Sequence, residues 1–488
     1  MKEKAKALLV NPRVGSTQSL TPHLGLAVLA ARLEEAGHTV LVLDYSAERS
    51  TPAITHCLEE YHPDFVGITA VTSGAAAVEG FVSQTAAWNR DAIIAVGGPH
   101  ATLYPEELES VPRLSYIVRG EAEDRIAELV ENAVPQSSPH VLACDRPPIQ
   151  SFPIPSFRSF YNYQNITVYP LLTSKGCPFN CSFCSVHQIA SRVWRARRVE
   201  DCIEEIRIAR RYLPRLRHVR VIDDEPAVQG GRFQQFLGLF AQECRGLSLE
   251  IVNLRAKDIT EEILGLMKRA GVFEVCFGVE HGSPAVFDEI DKGETLEDIE
   301  RAAELVKQSG LFLRCCFIVG LPRDSYERTL ESIRLAKRIK ADFFHWNSFI
   351  PLRGTRAADW FKTHGRTFTT KERFSLPGSG GFFVPEPCVE TDEFSREEHK
   401  KAYVLAILET DSYIITPGGL VSMLQAMVRY KLYGSTIKSL LRQPRCIWNH
   451  AIRFHKAGLL YDYGRRYLED NFLAGKLTSR VSSRESRV

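Results

Sequence analysis

Short β-branched apolar runs alternate with helical patterns along most of this chain, and that alternation constrains its fold more than any other feature. Ala5–Asn11 (AKALLVN), Thr39–Asp44 (TVLVLD), Phe65–Val71 (FVGITAV), Ala92–Gly97 (AIIAVG) and Tyr116–Val118 read as buried strands. Between the first two, a helical pattern over Leu24–Ala36 is stopped by Gly37-His38. Apolar strands separated by helices imply a parallel sheet covered on both faces. Ligands on such sheets bind outside the carboxyl ends of the strands, so the informative loops are Pro12–Pro22, Thr69–Ser73, Gly97–Leu103 and Arg119–Glu123.

Residues 134–165 are rich in Pro and Ser, a linker composition. A second series follows, with strands expected at Thr167–Ser174, His218–Asp223, Leu249–Leu254, Glu274–Gly278, Arg314–Val319 and Phe343–Ile350. Helical patterns such as Val199–Tyr212 and Leu296–Ser309 fill the gaps. Six such units are too few for a closed eight-stranded barrel and enough for a partial one. The expected α/β architecture is a flavodoxin- or Rossmann-like domain over 1–135, a linker over 136–165, a partial (β/α)6 barrel of TIM type over 166–370 and a mainly helical region over 371–488.

Lys and Arg total 61 against 59 Asp and Glu, a formal net charge of +2, so a whole-chain nucleic-acid binder driven by phosphate neutralisation is not expected. No basic-then-apolar leader and no transmembrane-length apolar run is legible, and a cytoplasmic location is expected. Of the 12 cysteines, most are scattered in apolar surroundings, as reduced thiols in cores are. Three are clustered in Thr173–Ser185 (TSKGCPFNCSFCS), at Cys177, Cys181 and Cys184. Three thiolates on one tight loop can hold three irons of a [4Fe–4S] cluster and leave the fourth iron open for catalysis. A structural zinc site with His187 as fourth ligand is the other reading of the same spacing.

This CxxxCxxC, with the aromatic Phe183 before its last Cys, resembles the signature of the radical S-adenosylmethionine (SAM) superfamily. The resemblance extends over Val168–Thr355. Ile222–Pro226 (IDDEP) stands where the family carries an acidic motif contacting the SAM amino group, which implies that role for Asp224 and Glu225. Asn253–Asp258 (NLRAKD) is similar to a segment whose Arg, here Arg255, reaches the SAM carboxylate. Gly278–Gly282 (GVEHG), with Glu280, resembles a segment approaching the ribose. Phe317–Asp324 (FIVGLPRD), with Gly320, resembles the turn beside the adenine, and Ile350–Thr355 (IPLRGT) resembles the family's closing Pro-x-x-Gly-Thr. The resemblance implies SAM cleavage by an electron from the cluster and hydrogen abstraction by a 5′-deoxyadenosyl radical. A zinc loop would not bring these segments with it. Taken singly, Asp224 or Glu225 also reads as a strand-end surface acid, and Arg255 as a solvated or salt-bridged arginine.

The first domain resembles the cobalamin-binding domain that precedes the barrel in a large radical SAM subgroup. The matching pieces are LLVNP (8–12), residues 23–44, VGITAVTS (66–73), VGGPHATLYPEE (96–107) and YIVRGEAE (116–123). The resemblance implies cobalamin contacts from Gly97, Gly98 and Gly120, where a missing side chain permits close backbone approach, and from the hydroxyls of Thr69, Thr72 and Ser73. A flavodoxin-like domain without a ligand is the alternative. The Asp-x-His-x-x-Gly that supplies an axial imidazole in other cobalamin proteins is missing, since His23 has no Asp two residues before it. No imidazole ligand from that motif is therefore expected, and His100 reads as a loop or helix-start residue rather than a metal ligand.

From Thr416 to Val488 there are 13 Lys and Arg and 4 Asp and Glu, mixed with aromatics and Leu. That pattern suits an amphipathic surface meeting anionic lipid at the inner face of a membrane, or an acidic substrate. It equally suits plain helical packing with a solvated basic face. Together these features lead to a cobalamin-dependent radical SAM methyltransferase acting on an unactivated carbon or phosphorus. The alternatives are non-methylating radical chemistry (oxidative cyclisation, ring contraction or oxygen insertion) and, from another class, a non-catalytic iron–sulfur or zinc protein. The expected partners are a small-molecule, lipid or natural-product substrate and an electron donor such as flavodoxin or ferredoxin.

Overall fold

The computed structural model describes residues 4–12, 20–47, 50–368, 382–414 and 416–468. Most of the Pro12–Pro22 loop and the last twenty residues of the basic region lie outside the described residues. The first sheet contains β1 (Lys6–Asn11), β2 (Thr39–Asp44), β3 (Phe65–Thr69), β4 (Ile93–Gly97), β5 (Tyr116–Gly120) and β6 (His140–Cys144). They are all parallel, in the order β2-β1-β3-β4-β5-β6. Successive side chains of β1 serve opposite layers. Ala7 and Leu9 pack beneath the helix Leu24–Glu35, whereas Leu8 and Val10 pack towards Ile54–Tyr61 and Ala75–Trp88.

The Pro/Ser-rich segment is more than the linker its composition suggests, because it contains β6. This strand pairs with β5 from Tyr116–His140 to Gly120–Cys144. Its side chains are exposed or half-buried, so it lacks the apolar run that marks an interior strand.

The second sheet is also parallel: β7 (Val168–Leu171), β10 (His218–Val221), β11 (Ser248–Leu254), β12 (Val272–Glu280), β13 (Phe312–Val319) and β14 (Phe343–Ser348) follow one another in spatial order, as in a partial barrel. Two short strands, β8 (Ser174–Lys175) and β9 (Arg195–Ala196), pair antiparallel outside it. In β13, Leu313, Cys315, Phe317 and Val319 are fully buried, while Arg314, Cys316 and Ile318 alternate with them on the half-buried inner side.

Among the described residues four helices follow the barrel: Arg396–Thr410, Pro417–Tyr430, Tyr433–Lys456 and Leu460–Leu468. The first opens on a capping box formed by Ser395 and Glu398. It packs on β14, where Tyr403 donates to the Trp346 carbonyl at 3.1 Å and the Trp346 indole donates to Thr410 at 2.9 Å. The third reaches Glu274 and Glu250 with Arg453, near the amino ends of the strands. Burial opposes the charge on Glu250, but Arg220 and His218 hold its carboxyl well below the ordinary carboxylate range. In the last helix, Arg466 donates to the Ala47 carbonyl at 2.9 Å and so ties the C-terminal region to the first domain. Among the described residues no helix is long and apolar enough to cross a membrane.

Candidate active site

The loop carrying the clustered cysteines is fixed at its stem by two acids just after β10. Asp223, fully buried, accepts from the Thr173 amide (2.6 Å), the Thr173 hydroxyl (2.6 Å) and the Ser174 hydroxyl (2.5 Å). Asp224 accepts from the Gly176 amide at 2.8 Å. Gly176 has φ +90°, and a Cβ there would lie 2.4 Å from the Val193 carbonyl oxygen, so only glycine makes this turn. Farther along, the Ser182 amide donates to the Ile290 carbonyl at 2.8 Å.

Cys177, Cys181 and Cys184 are therefore presented together at the carboxyl end of the barrel, each half-buried. Burial pushes all three thiols up to about 11, so binding iron must displace protons. Among the described residues no three Cys, His, Asp or Glu side chains converge on a single metal ion. His187, the fourth ligand of the zinc reading, instead contacts the Phe179 carbonyl at 2.5 Å through Nε2.

Across from this loop, Arg255 stacks over the Phe179 ring at 3.6 Å and donates to the carbonyls of Lys292 (3.2 Å) and Gly293 (2.9 Å). Its Nε is buried without a hydrogen-bond acceptor. Phe183, the aromatic of the signature, is half-buried against the barrel core and does not form this stack. Glu225 accepts from the Ala227 amide at 3.1 Å, and burial pushes its carboxyl up to about 8.

Sequence reasoning missed Lys292. This lysine is 8% exposed, lies 3.1 Å from Glu294 and 3.5 Å from Glu280, and also donates to the Gly278 carbonyl. Burial works to lower its pKa, but Glu280 and Glu294 raise it above the ordinary lysine value and keep the ammonium charged. In the sequence it is one lysine in a glycine turn (Asp291-Lys292-Gly293), and nothing there separates it from a solvated loop residue.

The Gly-Leu-Pro turn is held by Asp324, which accepts from the Gly320 amide at 2.8 Å, lies 3.1 Å from His281 and bonds the Thr329 hydroxyl. Gly320 has φ +90°, and a Cβ there would fall 2.3 Å from the His399 ring. His399 arrives from the helix Arg396–Thr410, stacks on Phe394 and meets the Ser348 hydroxyl at 3.0 Å. Burial lowers its pKa to about 4.

A cavity of about 400 Å³, open to solvent, lies between the two sheets. Leu9, Gly67, Thr69, Gly97, Gly98 and Gly120 line it from the first domain, and Leu172, Lys175, Ile189 and Ile222 line it from the barrel. A Cβ on Gly97 would meet nothing closer than 3.7 Å, so protein packing does not require glycine there, and the space it leaves belongs to the cavity. Gly98, at φ +97°, is different: a Cβ would lie 2.8 Å from the Thr69 hydroxyl oxygen. Thr72 and Ser73 start a 3-10 turn and do not line the cavity. His23 does line it, but its Nδ1 accepts from the Leu26 amide at 3.1 Å as a helix cap. His100 is fully buried, 3.7 Å from Glu107. The domains are clamped beside the cavity by Arg195, bidentate on Glu121 at 2.6 and 3.1 Å, with Lys175 3.4 Å from the same carboxylate.

Comparison with known proteins agrees with this arrangement. Residues 10–130 match the B12 binding domain and residues 171–336 match the radical SAM superfamily. An uncharacterized methyltransferase of Pyrococcus horikoshii is 29% identical over 415 residues, covering 78% of this chain and 87% of that protein. The anaerobic magnesium-protoporphyrin IX monomethyl ester cyclase of Rubrivivax gelatinosus is 28% identical over 366 residues, covering 68% of this chain and 64% of the cyclase. The radical SAM methyltransferase TsrM from Kitasatospora setae, solved with cobalamin and a [4Fe–4S] cluster, shares the fold with a TM-score of 0.58 at 18% identity, over 77% of this chain and 83% of that one. A B12-binding sheet followed by a radical SAM barrel defines a class of enzyme that works with a [4Fe–4S] cluster, SAM and cobalamin. This chain belongs to the cobalamin-binding radical SAM enzymes.

Proposed function

We propose that this enzyme methylates an unactivated carbon or phosphorus of a small-molecule substrate, with cobalamin as the methyl carrier. The observation that carries the reading is the shared cavity, which joins the carboxyl ends of the first sheet to the stem of the cysteine loop through Lys175. When bound, the cluster and SAM supply the radical that abstracts hydrogen, and cobalamin supplies the methyl group.

In this reading Cys177, Cys181 and Cys184 hold the cluster. Asp224 shapes their loop through Gly176. Glu225, protonated near neutral pH, and the charged Lys292 and Arg255 flank the SAM position with Glu280, and the Gly320 turn takes the adenine. Gly97, Gly98, Gly120 and Thr69 make room for the corrin and its tail. Glu121 and Arg195 hold the two domains together, which keeps the reacting groups close and limits water.

The test is anaerobic incubation of reconstituted enzyme with cobalamin and SAM carrying a labelled methyl group. Label should enter methylcobalamin and then product, with about one deoxyadenosine per methylation. The triple variant Cys177→Ala/Cys181→Ala/Cys184→Ala should lose iron–sulfur absorbance, while Cys446→Ala should keep it. Deoxyadenosine formed alongside a cyclised or oxygenated product without label would favour the second reading, which the cyclase relatives support. A small flavodoxin or ferredoxin is the reductant this scheme calls for.

A further inference from the structure

The helices Pro417–Tyr430 and Tyr433–Lys456 turn one face into the molecule and, among the described residues, leave the other without a partner. The inner face is spent on packing: Met423, Ala426 and Cys446 are buried, and Arg453 pairs with Glu274. The outer face carries Val421, Leu424 and Val428 on one helix and Ile437, Leu441 and Trp448 on the next, all between 42% and 77% exposed. Their spacing follows the helical repeat, so they form a stripe, larger than the scattered surface apolars of an ordinary monomer.

The charge that these two helices themselves carry has one sign. There is no Asp or Glu between Asp411 and Asp462. Lys431, Lys438 and Arg445 are exposed there and make no ion pair within the described residues. We propose that this face docks on an anionic lipid bilayer. The apolar stripe enters the headgroup region, with Trp448 at the depth aromatic residues prefer and the three cations among lipid phosphates. A second copy of the chain fits less well, because an isologous contact would bring two helix faces of the same sign together, Lys431 and Lys438 against their counterparts. Trp448 lies two residues from His450, which packs on Phe343 at the start of β14. The bilayer would therefore sit towards the amino ends of the strands and leave the cofactor cavity accessible to a soluble substrate and reductant.

The test is co-sedimentation of the full-length protein with phosphatidylcholine vesicles prepared with and without phosphatidylglycerol, across a salt series. Binding to the phosphatidylglycerol vesicles should weaken as salt shortens the screening length. It should fall by about tenfold or more in Leu441→Glu/Trp448→Glu and in Lys438→Glu/Arg445→Glu, with thermal melting unchanged because all four side chains are exposed. Two outcomes would overturn the proposal: no sedimentation at low salt, or an oligomer that the Leu441→Glu/Trp448→Glu variant dissociates. Methylation activity is not a readout here, so failure of this proposal leaves the catalytic reading untouched.

Discussion

His399 shows how one side chain can couple a peripheral helix to the site. It fills the space that glycine leaves at position 320, and burial keeps it neutral by lowering its pKa from 6.5 to about 4. In the unfolded chain the imidazole binds a proton below about pH 6.5, and in the folded chain it does not until about pH 4. The unfolded state therefore holds more protons in that window, so this residue's contribution to stability is present at neutral pH and is lost on acidification. Between pH 6.5 and about pH 5 the loss should be about 2 kcal/mol. His399→Gln keeps a polar side chain opposite Ser348 without titrating, so its denaturant midpoint should fall less than that of the native protein over the same range. Equal slopes would mean that His399 takes up its proton over the same pH range in the folded and the unfolded chain.

At the scale of elements, the end of β4 separates two kinds of glycine requirement. Gly98 is demanded by the backbone, through its positive φ and the nearby Thr69 hydroxyl, and Gly98→Ala should cost about 1–3 kcal/mol in denaturant unfolding. Gly97 is demanded only by the cavity. Gly97→Leu should fold with nearly native stability and lose cobalamin binding, measured by equilibrium dialysis and by the absorbance of the bound corrin. If Gly97→Leu binds cobalamin normally, the cavity serves another ligand. Two adjacent glycines in one sequence motif thus carry different constraints, and only the placement of their neighbours separates them.

For the whole molecule, the C-terminal helices complete the barrel at its amino end. Arg453 is the main polar tie, reaching Glu274 and Glu250 in a buried network that also contains Arg220 and Arg314. Arg453→Leu should destabilise the protein by about 3 kcal/mol, because removing one partner leaves a buried carboxylate short of compensation. Adding Glu274→Gln to that variant should recover part of the loss, a coupling that a double-mutant cycle in urea would read directly. Additive losses would mean that the two side chains act independently.

Local pattern by itself marked the two βα series and the cysteine loop, because buried strands need apolar runs and three thiolates on one turn need no distant partner to be recognised, while the class of chemistry came from the resemblance of several separate segments to the radical SAM superfamily. It did not reveal β6, whose exposed edge has no apolar run, and it divided the candidate residues imperfectly. Asp224 holds the loop backbone, Arg255 stacks on Phe179, a ring the sequence did not single out, and Thr72 and Ser73 stay out of the cavity. Lys292 was invisible because its value comes from Glu280, twelve residues away, and from burial that no local pattern records. The dual character of the basic C-terminal region was likewise a tertiary decision. A helix has several faces, and only the packed structure determines that Arg453 points into the protein while Trp448 points out.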